Sequence, residues 1–359
     1  MLRRQSGVVD QGKHLYLVDG GNCRVWNIRE VDLSSGSDFG NRAKPLPPAV
    51  FSFVGSHGPS RQFASAFGTS IMSILPNDRS HLPSRLPVGC FPIFDVRLNR
   101  LIFGPSPQVD LSDSIYIPVG HHLFALASGT CQLLCLPPPG TEDCVWEWHP
   151  LSVPPFDTKH VTSYAVHPDG RAILISTKSE DTKATFILDV AMFEWRKVGN
   201  WTLPFNGRGY FDSDLNSFVG LSTDPDTLGH LYSCAVICSD CGECQAPAQR
   251  LSKESLFSEA VPEEHVGDNQ ELLFSKEEHL GATLVYTKGG FCLVQGIKVT
   301  EKCADDELKD WRHMFRLTKF SLEYDSDGNL LIGVGRQVQF YEVPEASITF
   351  LKNPVVFYL

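Results

Sequence analysis

The feature that most limits the fold of this chain is a series of short, aromatic-rich hairpins whose turns contain Asp and Gly. Two of them share one pattern, in which an apolar strand ends at Asp95 or Asp189 and a second strand ends at Gly104 or Gly199. An Asp at the end of a strand accepts hydrogen bonds from the turn backbone and so closes the hairpin. Short strands separated by such turns predict a β-sandwich, a barrel or a propeller.

Three further hairpins turn at residues 167–170 (HPDG), 212–214 (DSD) and 325–328 (DSDG), where Asp and Gly tolerate positive φ. The strand groups lie near residues 15–55, 62–104, 113–150, 160–200, 206–247, 280–298 and 316–345. Their period of about 40 residues is typical of propeller blades with four strands each. We therefore predict an all-β protein with a β-propeller of about six blades, in which the two chain ends complete one blade. Seven blades and a β-sandwich are the alternatives.

The predicted domain organisation is a disordered tail at 1–14 and a single propeller domain at 15–359. Helical signal is scarce, and the two candidate helices are 251–260 and 303–314. The segment 251–280 contains eight Asp/Glu and two Lys, against a net charge of -11 for the whole chain. We predict an acidic loop or helix excursion there. It is either a solvated connection or a docking face for a basic partner, with Glu263 and Glu264 as the interaction candidates.

Charge and cysteine usage restrict the partners and the compartment. With 31 Lys+Arg against 42 Asp+Glu, the chain lacks the basic excess that binders of nucleic acid or of anionic membranes need. The sequence shows neither an apolar run of signal-peptide length near residue 1 nor a membrane-spanning segment. Eleven unevenly spaced cysteines, several of them in apolar strands, favour reduced thiols. We expect a monomeric cytoplasmic or nuclear protein with a protein partner.

Six segments together resemble a large cereal-plant family that is described only as a domain of unknown function with Kelch-like character. They are residues 46–51 (LPPAVF), 160–171 (HVTSYAVHPDGR), 201–205 (WTLPF), 209–221 (GYFDSDLNSFVGL), 229–236 (GHLYSCAV) and 279–286 (HLGATLVY). The resemblance extends from about residue 15 to 345 and implies a Kelch-type propeller from a grass. It implies no activity, cofactor or catalytic residue. Gly20-Gly21 and Gly289-Gly290 fit the Kelch double glycine, whereas most other units lack it.

A cysteine cluster is the most conspicuous candidate for a metal site. Cys234, Cys238, Cys241 and Cys244 have the number and kind of ligands that zinc takes. Structural zinc sites usually combine two separated pairs, however, and Cys234 and Cys238 lie at the end of an apolar strand. We interpret the cluster as a cysteine-rich loop tip without a cofactor. A zinc or iron–sulfur centre and a redox-sensitive pair are the alternatives.

Four other residues are candidates for interactions. Trp146 and Trp148 alternate, which places both indoles on one strand face, either for blade packing or as a ligand platform. Arg208 lies between two glycines at a strand entrance, where a propeller opens towards its central channel. Arg171 follows the HPDG turn in a comparable position. Both arginines are interpreted as structural or as contacts at the channel mouth.

The usual catalytic motifs are missing from the sequence. We find no HExxH, G-x-S-x-G, P-loop or G-x-G-x-x-G pattern, and the paired acids at 212/214, 224/226 and 325/327 fit turns better than calcium loops. We therefore predict a non-enzymatic protein-interaction module with no catalytic residues. The alternative is a propeller enzyme or a small-ligand binder that uses the central channel. Three or more convergent His or acidic groups in one deep pocket would favour the enzyme.

Overall fold

The computed structural model describes residues 13–21, 25–33, 43–54, 62–74, 90–105, 107, 114–136, 146–238, 242, 244–257, 274–301 and 311–359. Strands dominate these residues, and their one α-helix is α1 (Thr349–Lys352). The strands are β1 (Leu15–Gly21), β2 (Val25–Val31), β3 (Lys44–Pro45), β4 (Ala49–Val54), β5 (Gln62–Ala66), β6 (Ser70–Ile74), β7 (Cys90–Asp95), β8 (Arg100–Pro105), β9 (Ile115–Val119), β10 (His122–Ala127), β11 (Thr130–Cys135), β12 (Trp148–Pro150), β13 (Val161–Val166), β14 (Ala172–Lys178), β15 (Lys183–Asp189), β16 (Trp195–Gly199), β17 (Gly207–Asp212), β18 (Ser217–Leu221), β19 (Leu231–Ala235), β20 (Gln249–Leu251), β21 (Phe274–Thr287), β22 (Gly290–Glu301), β23 (Trp311–Phe320), β24 (Leu322–Tyr324), β25 (Leu330–Ile332), β26 (Gln337–Glu342) and β27 (Val355–Tyr358).

The strands form successive antiparallel meanders. Their orders are β27-β1-β2-β4, then β5 to β8, β9 to β12, β13 to β16 and β17 to β20. The last is β21-β22-β23-β26, to which β3 adds in parallel at the outer edge. The fourth and fifth meanders join into one curled eight-stranded sheet because β13 and β17 pair in parallel. This architecture is a β-propeller, as the sequence pattern predicted.

Apolar side chains fill the space between consecutive meanders. Six buried clusters each take residues from two meanders: five join meanders that are adjacent in chain order, and the sixth joins the first to the last. One of these clusters packs Leu15 and Leu17 of the first meander against Val294 and Phe315 of the last. The meanders therefore follow one another around a ring, and burial between them is the main force that holds the ring together.

The two ends of the described chain close this ring. β27 pairs antiparallel with β1, with Leu15 opposite Tyr358. The ladder continues beyond the strands, since the backbone N–H of His14 donates to Leu359 O (2.8 Å) and that of Leu359 donates to His14 O (3.0 Å). The prediction that the chain ends complete one blade is confirmed. Residues 1–12, most of the predicted tail at 1–14, lie outside the described residues.

The last two strand groups predicted from the sequence belong to one sheet. The sequence pattern predicts 280–298 and 316–345 as separate units. In the structure, however, β22 and β23 pair over ten positions, from Phe291 opposite Phe320 to Thr300 opposite Trp311. β21 and β22 have 14 and 12 residues, which is long for a blade. Seven strand groups in the sequence thus correspond to six meanders in the described residues.

The two predicted helices are wrong wherever the structure describes them. Leu251 ends β20, Ser252 forms a β-bridge with Leu330, and the described residues after it form bends and a turn in place of a helix. Residues 311–314 begin β23, which pairs with β22 on one side and β26 on the other. These ladders satisfy the backbone of a segment whose local composition favours a helix, so tertiary pairing overrides propensity.

Both ends of the predicted acidic excursion at 251–280 pack into the propeller. Residues 274–280 already belong to β21, and Lys253 forms an ion pair with Asp325 (2.8 Å). Residues 258–273 lie outside the described part of the chain, so the docking-face hypothesis for Glu263 and Glu264 stays a prediction. Within the described residues, no helix is long and apolar enough to span a bilayer.

The predicted Asp turns are confirmed. Asp189 Oδ1 accepts the backbone N–H groups of Ala191 and Met192, both at 2.8 Å. Asp95 and Asp212 accept from the second and third residues after them in the same way. The fourth residue after each Asp has positive φ: Asn99 (47°), Phe193 (56°) and Asn216 (48°). A single turn geometry therefore recurs in three meanders, from a pattern visible in the sequence.

We expect Asp189→Ala to lower the free energy of unfolding by about 1–2 kcal/mol, because two turn N–H groups lose their acceptor. Asp189→Asn is the matched control, since it keeps the Oδ1 acceptor and removes only the charge. Urea denaturation followed by tryptophan fluorescence measures both variants. A loss for Asn as large as that for Ala would show that charge, rather than the turn hydrogen bonds, stabilises this hairpin.

Candidate functional site in the central channel

Two cavities lie next to each other along the inner strands of the propeller. We call the larger one, of about 1410 Å³, the mouth chamber, and the smaller one, of about 990 Å³, the inner chamber. Side chains from β5, β9, β17, β21 and β27 line both chambers, and β13 adds to the inner one. The chambers share five lining residues, namely Ser65, Arg208, Tyr210, Val356 and Phe357. They therefore form one channel enclosed by the innermost strand of every meander.

Arg208 lies where the two chambers meet, and two tyrosines flank it. Tyr164 is its register partner across the parallel β13–β17 pair. Tyr210 is two residues further along β17 and so points to the same face of the strand. The guanidinium carbon of Arg208 is 4.8 Å from the centroid of the Tyr210 ring, which is within cation–π range. All three side chains are half-buried, so each keeps part of its surface open to the channel.

The glycines on either side of Arg208 explain how this side chain reaches the channel. Gly207 has a φ of 65°, a conformation that glycine adopts without strain, and it starts β17. A side chain at Gly209 or Gly220 would overlap the ring of Phe205, which is 1% exposed. Phe205 therefore packs flat against the backbone of β17 and β18. The residue between Gly207 and Gly209 is then directed to the opposite face of the strand, which borders the channel.

The tyrosines of the inner chamber are neutral at physiological pH. Burial raises the pKa of Tyr164 and of Tyr210, and the charge of Arg208 offsets part of each rise. Burial likewise raises the pKa of Tyr116 on β9, with a smaller opposing effect from a hydrogen bond with Ser114. Three phenol hydroxyls therefore remain protonated and able to donate hydrogen bonds inside the channel.

The charged side chains that line the mouth chamber are predominantly basic. Lys13, Arg97 and Lys288 are exposed residues of its lining, and Arg208 lies deeper. Among the described lining residues, Glu30 is the one acidic side chain, and it is paired with His14 (Nδ1–Oε1, 3.1 Å). The protein as a whole has a net charge of -11. The excess of cations at this opening therefore contrasts with the rest of the chain.

Arg208 has no carboxylate partner among the described residues. Ion pairs are formed by other arginines there, such as Arg29 with Asp19 and Arg316 with Glu277. The neighbours of Arg208 are instead tyrosine rings and hydroxyls, which screen a cation less well than a carboxylate or bulk water. A half-buried cation without a counterion favours the binding of an anion.

Comparison with known families identifies the chain at the level of its family. A family model described as "Protein of unknown function (DUF1668)" matches residues 10–341. The chain belongs to the DUF1668 family. Comparison of this DUF1668 protein with curated proteins gave no match.

Several solved structures are similar to the DUF1668 chain at low sequence identity. A functionally unknown protein from Desulfotomaculum acetoxidans is 10% identical, with a TM-score of 0.45 and coverage of 92% of this chain and 86% of that one. The β-propeller domain of Cps50 (Swd1) from Myceliophteria thermophila is 10% identical, with a TM-score of 0.35 and coverage of 92% and 94%. TolB from Acinetobacter baumannii is 11% identical, with a TM-score of 0.37 and coverage of 93% and 67%. The assignment of the DUF1668 chain as a propeller rests on its own strand pairings.

The two arginine candidates have different positions in the DUF1668 fold. Arg208 lines both chambers, whereas Arg171 is exposed beside the turn between β13 and β14. The backbone N–H of Arg171 donates to Asp169 Oδ1 (2.8 Å), and the residue lines neither chamber. Of the two, only Arg208 is in the channel.

The two tryptophan candidates pack in the core between the second and third meanders. Trp148 is buried, and its Nε1–H donates to the carbonyl oxygen of Pro105 (2.8 Å). Trp146 is half-buried against the same cluster, with its ring 6.3 Å from that of Phe67. Both indoles pack at one core cluster, as blade packing requires, although Trp146 precedes β12 and does not lie on it. A role of either indole in an interaction stays a prediction.

The cysteine candidates differ in their environments. Cys234 is buried in β19, and burial raises the pKa of its thiol to about 12. Cys238 is exposed and Cys244 is half-buried, while Cys241 lies outside the described residues. Within the part of the chain that the structure describes, no group of three or more His, Cys, Asp or Glu is arranged to hold a metal ion. The metal-site alternative for the complete set of four stays a prediction.

Sequence reasoning missed the tyrosines that complete the channel site. The alternation in residues 207–212 (GRGYFD) places Arg208 and Tyr210 on one strand face, and this signal was present in the sequence. Tyr164 and Tyr116 carry no comparable signal. Their approach to Arg208 or to the inner chamber depends on strand pairing and on how the meanders are arranged around the channel.

Proposed function

We propose that this DUF1668 protein is a non-enzymatic binding propeller whose ligand enters the central channel and places an anionic group against Arg208. The observation that carries the proposal is that Arg208 is half-buried at the junction of the two chambers with no carboxylate partner among the described residues. A ligand carboxylate or phosphate would supply the missing counterion and match the donor fork of a guanidinium.

The charges at the opening support the same proposal. Lys13, Arg97 and Lys288 are exposed around the mouth chamber, and cations arranged at one opening attract an anion before contact. Because these side chains face water, added salt screens them. The ligand would therefore approach through the mouth chamber and be retained at Arg208.

The composition of the lining favours binding over catalysis. His14 and Glu30 are the one His and the one carboxylate side chain among the described lining residues, and both are about half exposed. The hydroxyl of Tyr16 also contacts Glu30 (3.5 Å), and the pKa of Tyr16 is raised to about 12, chiefly by burial and then by the Glu30 charge. An acid–base catalyst would need titratable groups near neutral pH beside the bound ligand, and Arg208 with its tyrosines provides none.

The partner predicted from the sequence, a protein, is compatible with this site, because an acidic side chain or a terminal carboxylate presents the same chemistry. Protein binding, Kelch-like character, a cytoplasmic or nuclear location and a monomeric state are part of the proposal. A second form of the proposal is a free small-molecule anion, which the concave chambers are large enough to hold.

We expect Arg208→Met to weaken the binding of inorganic phosphate by roughly tenfold or more, which is the effect of one charge-assisted hydrogen bond. Arg208→Lys keeps the charge but loses the planar fork, so an intermediate affinity is expected. Arg171→Met is the matched control, since Arg171 is an exposed arginine outside both chambers. Isothermal titration calorimetry at two salt concentrations measures all three.

Equal affinities for the wild type, Arg208→Met and Arg171→Met would contradict the proposal. An affinity that fell equally in both methionine variants would contradict it too, because the effect would then follow total charge. Circular dichroism shows whether each variant is folded before its titration is interpreted.

A further inference from the structure

The inner chamber differs in character from the mouth chamber. Arg208 is the one charged side chain among its described lining residues, whereas the mouth chamber has three further cations. Seven of the 27 residues that line it are aromatic. Five of these rings come from five different elements of the propeller, namely Phe63, Tyr116, Tyr164, Phe350 and Phe357.

These rings are partly open to the chamber. All five are half-buried, with one side packed against a core cluster, whereas rings at the centre of those clusters, such as Phe124 and Phe218, are completely buried. They come from β5, β9, β13, α1 and β27, so they surround the chamber from several directions. Aromatic surface that remains exposed along the wall of a partly open cavity is a typical lining for an apolar or planar group of a ligand.

The chamber also offers neutral hydrogen-bond groups near the rings. The hydroxyls of Tyr116, Tyr164 and Tyr210 are protonated, since burial raises the pKa of each. Asn206 and Asn353 add amides to the lining. A second charged group on the ligand would find no counterion at this depth, so charge is expected only at the Arg208 end.

From this arrangement we infer that the ligand is an aromatic anion, with a ring in the inner chamber and a phosphate or carboxylate at Arg208. This inference rests on the proposed function, because it assigns the chemistry of the same channel. The volume of about 990 Å³ is at the upper end of the range for small-molecule sites, so a ring with neutral polar substituents fits. The inference excludes aliphatic anions of similar charge as preferred ligands.

The test compares phenyl phosphate with glycerol 3-phosphate, inorganic phosphate and phenol by isothermal titration calorimetry. We expect phenyl phosphate to bind at least roughly tenfold more tightly than the two non-aromatic phosphates, because it alone buries a ring. Phenol is expected to bind more weakly than phenyl phosphate as well, since it lacks the anion for Arg208.

Phe63→Leu should lower the ratio of phenyl phosphate affinity to inorganic phosphate affinity several-fold. Phe103→Leu, at an exposed ring of β8, is the matched control and should leave the ratio unchanged.

The outcomes separate this inference from the proposed function. If inorganic phosphate binds as tightly as phenyl phosphate and depends on Arg208, the aromatic inference is overturned while the anion site stands. If no phosphate binds the folded protein, both are overturned. A phosphotyrosine peptide that binds like phenyl phosphate would support the same chemistry presented by a protein, whereas binding of phenyl phosphate alone would support a free small molecule. Two-dimensional NMR of the aromatic side chains gives a second measurement if Phe63→Leu fails to fold.

Discussion

Arg316→Met is expected to lower the free energy of unfolding by about 3–5 kcal/mol, because it breaks a buried ion pair from one side. Arg316 is 3% exposed on β23. Its Nη1 donates to Glu277 Oε2 (2.9 Å), and its Nε and Nη2 donate to Gln295 Oε1 (3.0 and 2.6 Å). The methionine would fill much of the volume but would leave the carboxylate and the amide oxygen without these donors.

The polar network continues beyond the ion pair, which increases the expected loss. Gln295 Nε2 lies 2.9 Å from His279 Nδ1, and the His279 ring stacks on Phe257 with centroids 4.0 Å apart. The pKa of His279 is lowered chiefly by burial and to a smaller extent by the charge of Arg316. His279 is therefore neutral at pH 7 and can accept a hydrogen bond from Gln295. Removal of Arg316 frees Gln295 to rotate, so the network loses its fixed geometry as well as one pair.

Arg312→Met is the matched control for this prediction. Arg312 lies on the same strand, and its ion pair with Glu342 (3.1 Å) is about half exposed. An exposed pair contributes less than about 1 kcal/mol, so only a small loss is expected. Guanidinium denaturation of both variants gives the comparison. Similar losses at the two positions would show that burial does not determine the cost at Arg316.

Gly281→Ala is expected to lower the free energy of unfolding by about 2–3 kcal/mol, because the added methyl group has no space. Gly281 on β21 and Gly296 on β22 are directly opposite each other. A methyl group at either position would overlap the backbone of α1, at the carbonyl oxygen of Lys352 or of Leu351. Since the neighbour is backbone rather than the end of a flexible side chain, the whole helix would have to move. Neither glycine is needed for positive φ, so close packing is the reason for both.

Displacement of α1 would also affect the channel. Thr349, Phe350 and Asn353 line the inner chamber, and β27, which closes the ring, begins at Val355. We therefore expect faster amide exchange in β27 of the Gly281→Ala variant. Gly242→Ala is the control, because a methyl group there meets none of the described residues within 4 Å. Equal stability of the two variants would show that α1 adjusts at little cost.

The propeller itself was predictable from the sequence because its signals are local. A turn closed by Asp189 involves atoms within a few residues of it, so the local amino-acid sequence is enough to infer the hairpin. The alternation of apolar residues then identifies the strands on either side. The prediction that the two chain ends complete one blade was confirmed by the β1–β27 pair.

Local signals failed where a long ladder overrides them. Residues 303–314 have a helical composition, yet those from Trp311 onwards pair with β22 and β26. The same ladders merged two predicted units into one sheet. Sequence propensity describes the isolated segment, whereas the energy of a segment in the fold depends on the partners beside it.

In the candidate site, Arg208 could be identified from the sequence alone, but little of its surroundings could. The glycines on either side of Arg208 indicated a strand entrance, and their roles are local: a left-handed φ at Gly207 and the packing of Phe205 on Gly209. The tertiary structure alone decided that Tyr164 lies beside Arg208 and that cations from the first, second and last meanders surround one opening. These residues are far apart in the chain. Their approach depends on the register between meanders and on how the ring closes, and no short-range pattern encodes either.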